Sequence, residues 1–130
     1  METVIRLCII GAGGFVGAVL RYLVSGWVQY RSGSILFPFG TMAVNMIGCL
    51  VIGFLSYLVE VRSMFSPEVR SFVLIGLLGA FTTFSTFGNE TLGLIRDSRL
   101  DLAAINAGVQ VTLGVAMVWI GRIMAAVVWR

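Results

Sequence analysis

Four long stretches of uncharged, mostly apolar residues alternate with short polar interruptions along the chain. Leu7 to Leu20 carries no charge, Arg21 interrupts once, and apolar residues resume from Tyr22 to Tyr30. Met42 to Val59 is a run of 18 uncharged residues, Ser71 to Asn89 one of 19, and Leu102 to Gly121 one of 20. About 20 apolar residues in helical form cross the hydrocarbon of a bilayer. The pattern therefore predicts helices over about residues 4–29, 42–59 and 102–121, with a third span over 66–96. Three polar segments join them. Arg31 to Phe39 holds Ser32-Gly33-Ser34 and Pro38, Glu60 to Arg70 holds Pro67 where a helix can begin, and Arg96-Asp97-Ser98-Arg99 is a turn. The apolar stretch continues past Arg21 without a small-residue cleavage site, which argues against a removed signal peptide. The chain shows no internal duplication.

The third span does not read as one helix. Gly79-Ala80-Phe81-Thr82-Thr83-Phe84-Ser85-Thr86-Phe87-Gly88-Asn89-Glu90 mixes three Thr and a Ser with three Phe between two Gly. Branched Thr restricts χ1, Ser and Thr hydroxyls compete for backbone groups, and each Gly costs about 1 kcal/mol against Ala in a helix interior. Two half-helices are expected, over about 66–79 and 84–96. A Ser/Thr-rich helix packed on a neighbour is the alternative. Broken helices at membrane depth are tolerated only where protein or a polar cavity surrounds them, and they mark ion and substrate sites.

Composition narrows the class. The chain is 58% hydrophobic and 12% charged, against about 25% charged in globular domains. One integral membrane domain over residues 1–130 is expected. The nine basic residues are all Arg and are spread along the chain, so nucleic acid has no patch to bind. With no His, the usual metal-ligand and acid/base constellations are missing, and the chain is not read as an enzyme. Cys8 and Cys49 sit in apolar runs and read as small buried hydrophobes.

A few polar residues stand out inside the spans. Gly13 and Gly17 form a small-xxx-small pair for close helix approach. Arg21, about two turns from its helix end, either snorkels to the headgroups or lies at the mouth of an anion path. Asn45 is either an interhelical hydrogen-bond partner or an amide donor to an anion. Asn106 and Gln110, four apart, share one helix face, for interhelical bonding or for lining a pore. Phe84 and Phe87 stack on one face, and two Phe at that spacing are usually core; their ring edges are weakly positive. Trp129 reads as an interfacial anchor.

Orientation is weakly specified. With the N-terminus inside, Arg6, Arg62, Arg70, Arg122 and Arg130 lie inward and Arg31, Arg96 and Arg99 outward. Five against three is a poor positive-inside bias. A chain able to insert both ways can build an antiparallel dimer.

Thr82-Thr83-Phe84-Ser85-Thr86-Phe87, with Gly79 before and Glu90 after, resembles the signature of the small bacterial fluoride channels, the Fluc or CrcB family. Gly17-Ala18-Val19-Leu20-Arg21 and Gly40-Thr41-Met42-Ala43-Val44-Asn45-Met46-Ile47-Gly48 match that family's other motifs in order, so the resemblance covers nearly the whole chain. It implies an all-α membrane protein of four transmembrane helices, the third broken mid-membrane, assembled as an antiparallel dual-topology homodimer. It implies a multi-pass protein of the bacterial inner membrane that exports fluoride passively along paths at the dimer interface. Phe84 and Phe87 then map onto the phenylalanines lining those paths and Asn45 onto their amide donor, with Thr41, Ser85, Thr86, Arg21, Asn106 and Gln110 as further candidates. Gly79 and Thr82 would supply backbone carbonyls to a structural Na⁺ on the dimer axis. Ala80 and Gly88 depart from the usual Gly and Ser. The alternative is a small dual-topology, proton-coupled multidrug exporter. Such a protein needs a membrane carboxylate, and Glu90 is the only acid near a span's interior. A scaffold protein would leave the clustered break unexplained.

Overall fold

The computed structural model describes residues 1–129. Arg130, one of the arginines expected on the inner side, lies outside the described residues. The helices are α1 (Glu2–Ser32), α2 (Phe39–Arg62), α3 (Pro67–Arg70), a π-helical segment (Ser71–Leu78), α4 (Gly79–Phe81), α5 (Phe84–Arg96) and α6 (Leu100–Val128). Four spans are long and apolar enough to cross a membrane: α1, α2, the composite Pro67–Arg96 and α6. Each outlasts its uncharged run, because the first and last turns carry the flanking polar residues. Gly33, left-handed at φ 65°, closes α1. Ser66 caps α3, its hydroxyl accepting from the Val69 N–H, with Pro67 in the first turn.

Two helix pairs form the interior. The first is α1 against the π-helical segment, and the second is α2 against α6. Within each pair the helices run the same way, and glycines set the separation. A Cβ at Gly13 would strike the Phe72 carbonyl and one at Gly17 the Leu77 carbonyl. Gly53 and Gly121 make the same approach to the Val118 and Leu50 carbonyls between α2 and α6. Lipid is as apolar as Leu, so spans associate through close packing and polar links rather than by burying apolar bulk. The largest fully buried side chains are accordingly Val44, Asn106 and Ser71, two of them polar.

The winding of residues 71–78 is wider than an α-helix, and a 3.6-residue period gave no sign of it. Phe72 and Leu77, whose carbonyls face Gly13 and Gly17, are five residues apart, the π-helical hydrogen-bond step. The break also falls later than expected. Gly79 is still helical at φ −61°, ψ −33°, and the helix runs on through Ala80 and Phe81. Thr82 (φ −86°, ψ 160°) and Thr83 (φ −153°, ψ 111°) are extended, and α5 starts at Phe84. Ala80 in place of Gly is therefore simply a helical residue. The cysteines are both free; Cys8 is exposed on α1, contrary to the expectation that it is buried, and Cys49 is half-buried beside Gly114.

Candidate functional site at the broken span

An interrupted helix leaves backbone groups without partners, and in a bilayer each must find one inside the protein. The last backbone bond of the first half runs from the Thr82 N–H to the Leu78 carbonyl at 3.1 Å, and the Thr82 hydroxyl joins the same carbonyl. The next donor in the series, the Thr83 N–H, turns instead to Asn45 Oδ1 at 2.9 Å. Asn45 Nδ2 reaches the Thr83 carbonyl at 3.3 Å. One side-chain amide from α2 thus holds both polar groups of Thr83, and the Gly79 carbonyl loses its ordinary helical donor.

Thr83 also starts the second half. Its hydroxyl accepts from the Thr86 N–H and donates to Thr86 Oγ1 at 2.8 Å, capping α5. Ser85 Oγ is 3.4 Å from the same hydroxyl. The α5 N-terminus, with its positive dipole end, begins inside the third span.

A concavity of about 340 Å³ opens at the break. Asn45, Gln110, Phe84 and Phe87 line it together with Gly79, Thr82 and Thr83. The Phe84 and Phe87 rings are 5.4 Å apart and tilted by 52°. Phe84 is 82% exposed, whereas Phe81 is buried in the core. A Cβ at Gly79 would meet nothing within 4 Å, so this rim is open in the single chain.

On the other side of Thr83 lies a hollow of about 210 Å³, lined by Arg21, Thr41 and Thr86 among others. Because α1 extends to Ser32, Arg21 is about three turns from its end rather than two. Among the described residues no carboxylate pairs with it. Thr41 is buried and donates to Glu90 Oε1 at 2.7 Å; Glu90 Oε2 is buried without a partner. Thr41 and Glu90 also border a larger hollow of about 450 Å³ beside Gln29 and Asp97.

The expected site residues therefore divide into two groups that share Thr83. Asn45, Phe84, Phe87 and Gln110 face the concavity, and Arg21, Thr41 and Thr86 face the smaller hollow. Ser85 is exposed at the α5 start. Asn106 faces neither; it is 0% exposed and bonded to Gln110 and Thr91. Sequence reasoning passed over Thr83 and Thr91 as site residues and weighed Glu90 only as the carboxylate an exporter would need. Thr83 had a legible signal, since Thr just ahead of a helix start is a preferred N-cap residue.

The family profile described as "CrcB-like protein, Camphor Resistance (CrcB)" matches residues 8–122. The chain belongs to the CrcB-like family. The match takes in α2, α5 and all the residues of the two groups. "Fluoride-specific ion channel FluC 3" of Methanosarcina barkeri is 42% identical over 119 residues, 92% of this chain and 89% of its own. "Fluoride-specific ion channel FluC 1" of Methanosarcina acetivorans is 44% identical over 119 residues, with the same coverage. "Fluoride-specific ion channel FluC" of Methanocaldococcus jannaschii is 42% identical over 128 residues, 96% of this chain and 98% of its own.

Proposed function

We propose that the chain is a fluoride channel, not an enzyme, passing the ion passively and exporting it across the cytoplasmic membrane. The observation that carries this is the break at Thr82–Thr83, lined by an amide and two phenyl rings, in a chain whose relatives are named for fluoride. A small anion leaving water needs donors in place of its hydration shell. Asn45 Nδ2, the Thr86 hydroxyl and the α5 N-terminus are such donors, and the edges of Phe84 and Phe87 are weakly positive. Arg21 beside Thr86 would draw anions to the mouth of the path. The test is fluoride efflux from liposomes holding the purified protein. Efflux above that of empty liposomes is expected; none at verified reconstitution would end the reading. The relatives, named as fluoride-specific channels, lend no support to the multidrug-exporter alternative.

The working unit on this reading is an antiparallel homodimer. Exposed Ser85, Thr86 and Asn89 and the open concavity at a span's middle are poor surfaces to set against hydrocarbon, and a second copy would cover them. A cysteine at the C-terminus, probed in cells with an impermeant thiol reagent after Cys8 and Cys49 are replaced, should be about half accessible given the weak arginine bias. Labelling of nearly all or nearly none would reject dual topology.

Sodium belongs to the same proposal. The Gly79 and Thr82 carbonyls are the oxygens that would hold it, two from each copy. The loss of the Thr83 N–H to Asn45 supports the fit at Gly79, because it leaves a main-chain oxygen with capacity for a hard cation. Bound there, the ion supplies positive charge to two broken helix ends; it needs no transport cycle.

A further inference from the structure

Asn45 can serve an anion only if its amide points the right way, since one end donates and the other accepts. Its orientation is not fixed by Thr83 alone. The Asn45 Nδ2 group also donates to Gln110 Oε1 at 2.7 Å. Gln110 Nε2 donates to Asn106 Oδ1 at 3.0 Å, Asn106 Nδ2 to Thr91 Oγ1 at 2.9 Å, and the Thr91 hydroxyl to the Phe87 carbonyl at 2.7 Å. With the Thr83 N–H giving to Asn45 Oδ1, every proton in the series is donated in one direction.

Both ends of the series are fixed by chemistry. The Thr83 N–H only donates and the Phe87 carbonyl only accepts. Asn106 is fully buried, so water is not at hand there to mend a mismatch. Turning Asn45 around would set its NH₂ against the Thr83 N–H and oblige Gln110 and Asn106 to turn as well. Thr91 would then have to donate to Asn106, leaving the Phe87 carbonyl. The reversed series thus sets two donors against each other at Thr83 and forfeits the hydroxyl bond at Phe87, whose carbonyl keeps its place in the α5 ladder.

We infer that Thr91, Asn106 and Gln110 are positioning residues that set the polarity of the Asn45 amide from the far side, so that its NH₂ faces the ion path. The inference rests on the channel reading and gives Asn106 and Gln110 a role behind the path rather than as ion ligands. The longer of the two Asn45 donations, to the Thr83 carbonyl at 3.3 Å, is the one an anion would take over.

Thr91→Val removes the hydroxyl at nearly constant shape, and Thr91→Ser keeps it. The chain has three asparagines, Asn45, Asn89 and Asn106, so isotopic labelling of asparagine side-chain nitrogen gives three amide pairs to follow by NMR. Thr91→Val is expected to shift the Asn45 pair, although Thr91 bonds Asn106 and not Asn45, and to lower maximal fluoride efflux about tenfold, the effect of one buried hydrogen bond left unmade. Thr91→Ser should restore both. An unmoved Asn45 pair, unchanged efflux in Thr91→Val, or a serine variant that fails to rescue overturns the inference. If Thr91→Val does not fold, Asn106→Leu takes its place: a shifted Asn45 pair supports the inference and an unmoved one overturns it. If the unsubstituted protein passes no fluoride, the channel reading fails by itself, and the Asn45 signal alone decides whether the polarity is set from Thr91.

Discussion

Asn45→Ala should abolish most fluoride efflux from liposomes and lower the melting temperature together. The substitution removes the candidate anion donor, and it also strands the Thr83 N–H, the Thr83 carbonyl and Gln110 Oε1. A buried polar group left without a partner costs about 1–3 kcal/mol, so the loss of stability should be plain even if the variant still assembles. Phe84→Ile is the contrast. Phe84 is 82% exposed in the chain and supports nothing in its interior. Exchanging its ring for an aliphatic side chain of similar bulk takes away the polarised edge, so efflux should fall while melting stays close to the parent's. Normal efflux in either variant, at equal reconstitution, would sink the assignment of the path.

Na⁺ should protect the assembled protein against thermal dissociation, and K⁺ or a bulky organic cation at the same ionic strength should do so less. By mass action, an ion present at a hundred times its dissociation constant adds about 2.7 kcal/mol. Gly79→Val should remove that protection and dissociate the assembly while leaving the chain helical. In the single chain a Cβ at Gly79 touches nothing, so the harm must come from a second copy brought against it. Thr82→Ser should be mild, because Ser keeps a hydroxyl for the Leu78 carbonyl and loses only the methyl that lies over Gly48. Melting that ignores the identity of the cation, with no ion density between the paired breaks, rejects structural sodium.

Much of this architecture was legible because charge is so expensive in hydrocarbon. The uncharged runs located all four spans, and Thr82 and Thr83, with no good reason to sit in a helix, located the break to within a few residues. The edges were less legible. Gly79 looked like a terminator but keeps ordinary helical angles, and nothing after it compels a stop until Thr83 gives its N–H to another helix. The winding of residues 71–78 had no sequence signal, since it depends on which carbonyls meet Gly13 and Gly17 across a helix pair. The polar series behind Asn45 was half visible. Asn106 and Gln110 announced themselves by four-residue spacing, whereas Thr91 and Thr83 join them only once α2, α5 and α6 are brought together.

The double grip of Asn45 on Thr83 has a consequence for how such a protein can change over generations. Among side chains in their usual ionisation state, only a carboxamide sets a donor atom and an acceptor atom side by side without charge. Asp would keep the acceptor and add a charge, Leu would keep neither, and Gln would hold both groups one methylene too far out. On the channel reading, a single side chain therefore serves both the integrity of an interrupted helix and the handling of the ion. A substitution at position 45 is therefore expected to disturb both together. On that reading, a change of ion preference would fall to the residues that touch the amide from behind or beside it, where a substitution can retune its polarity and reach without releasing the backbone it holds.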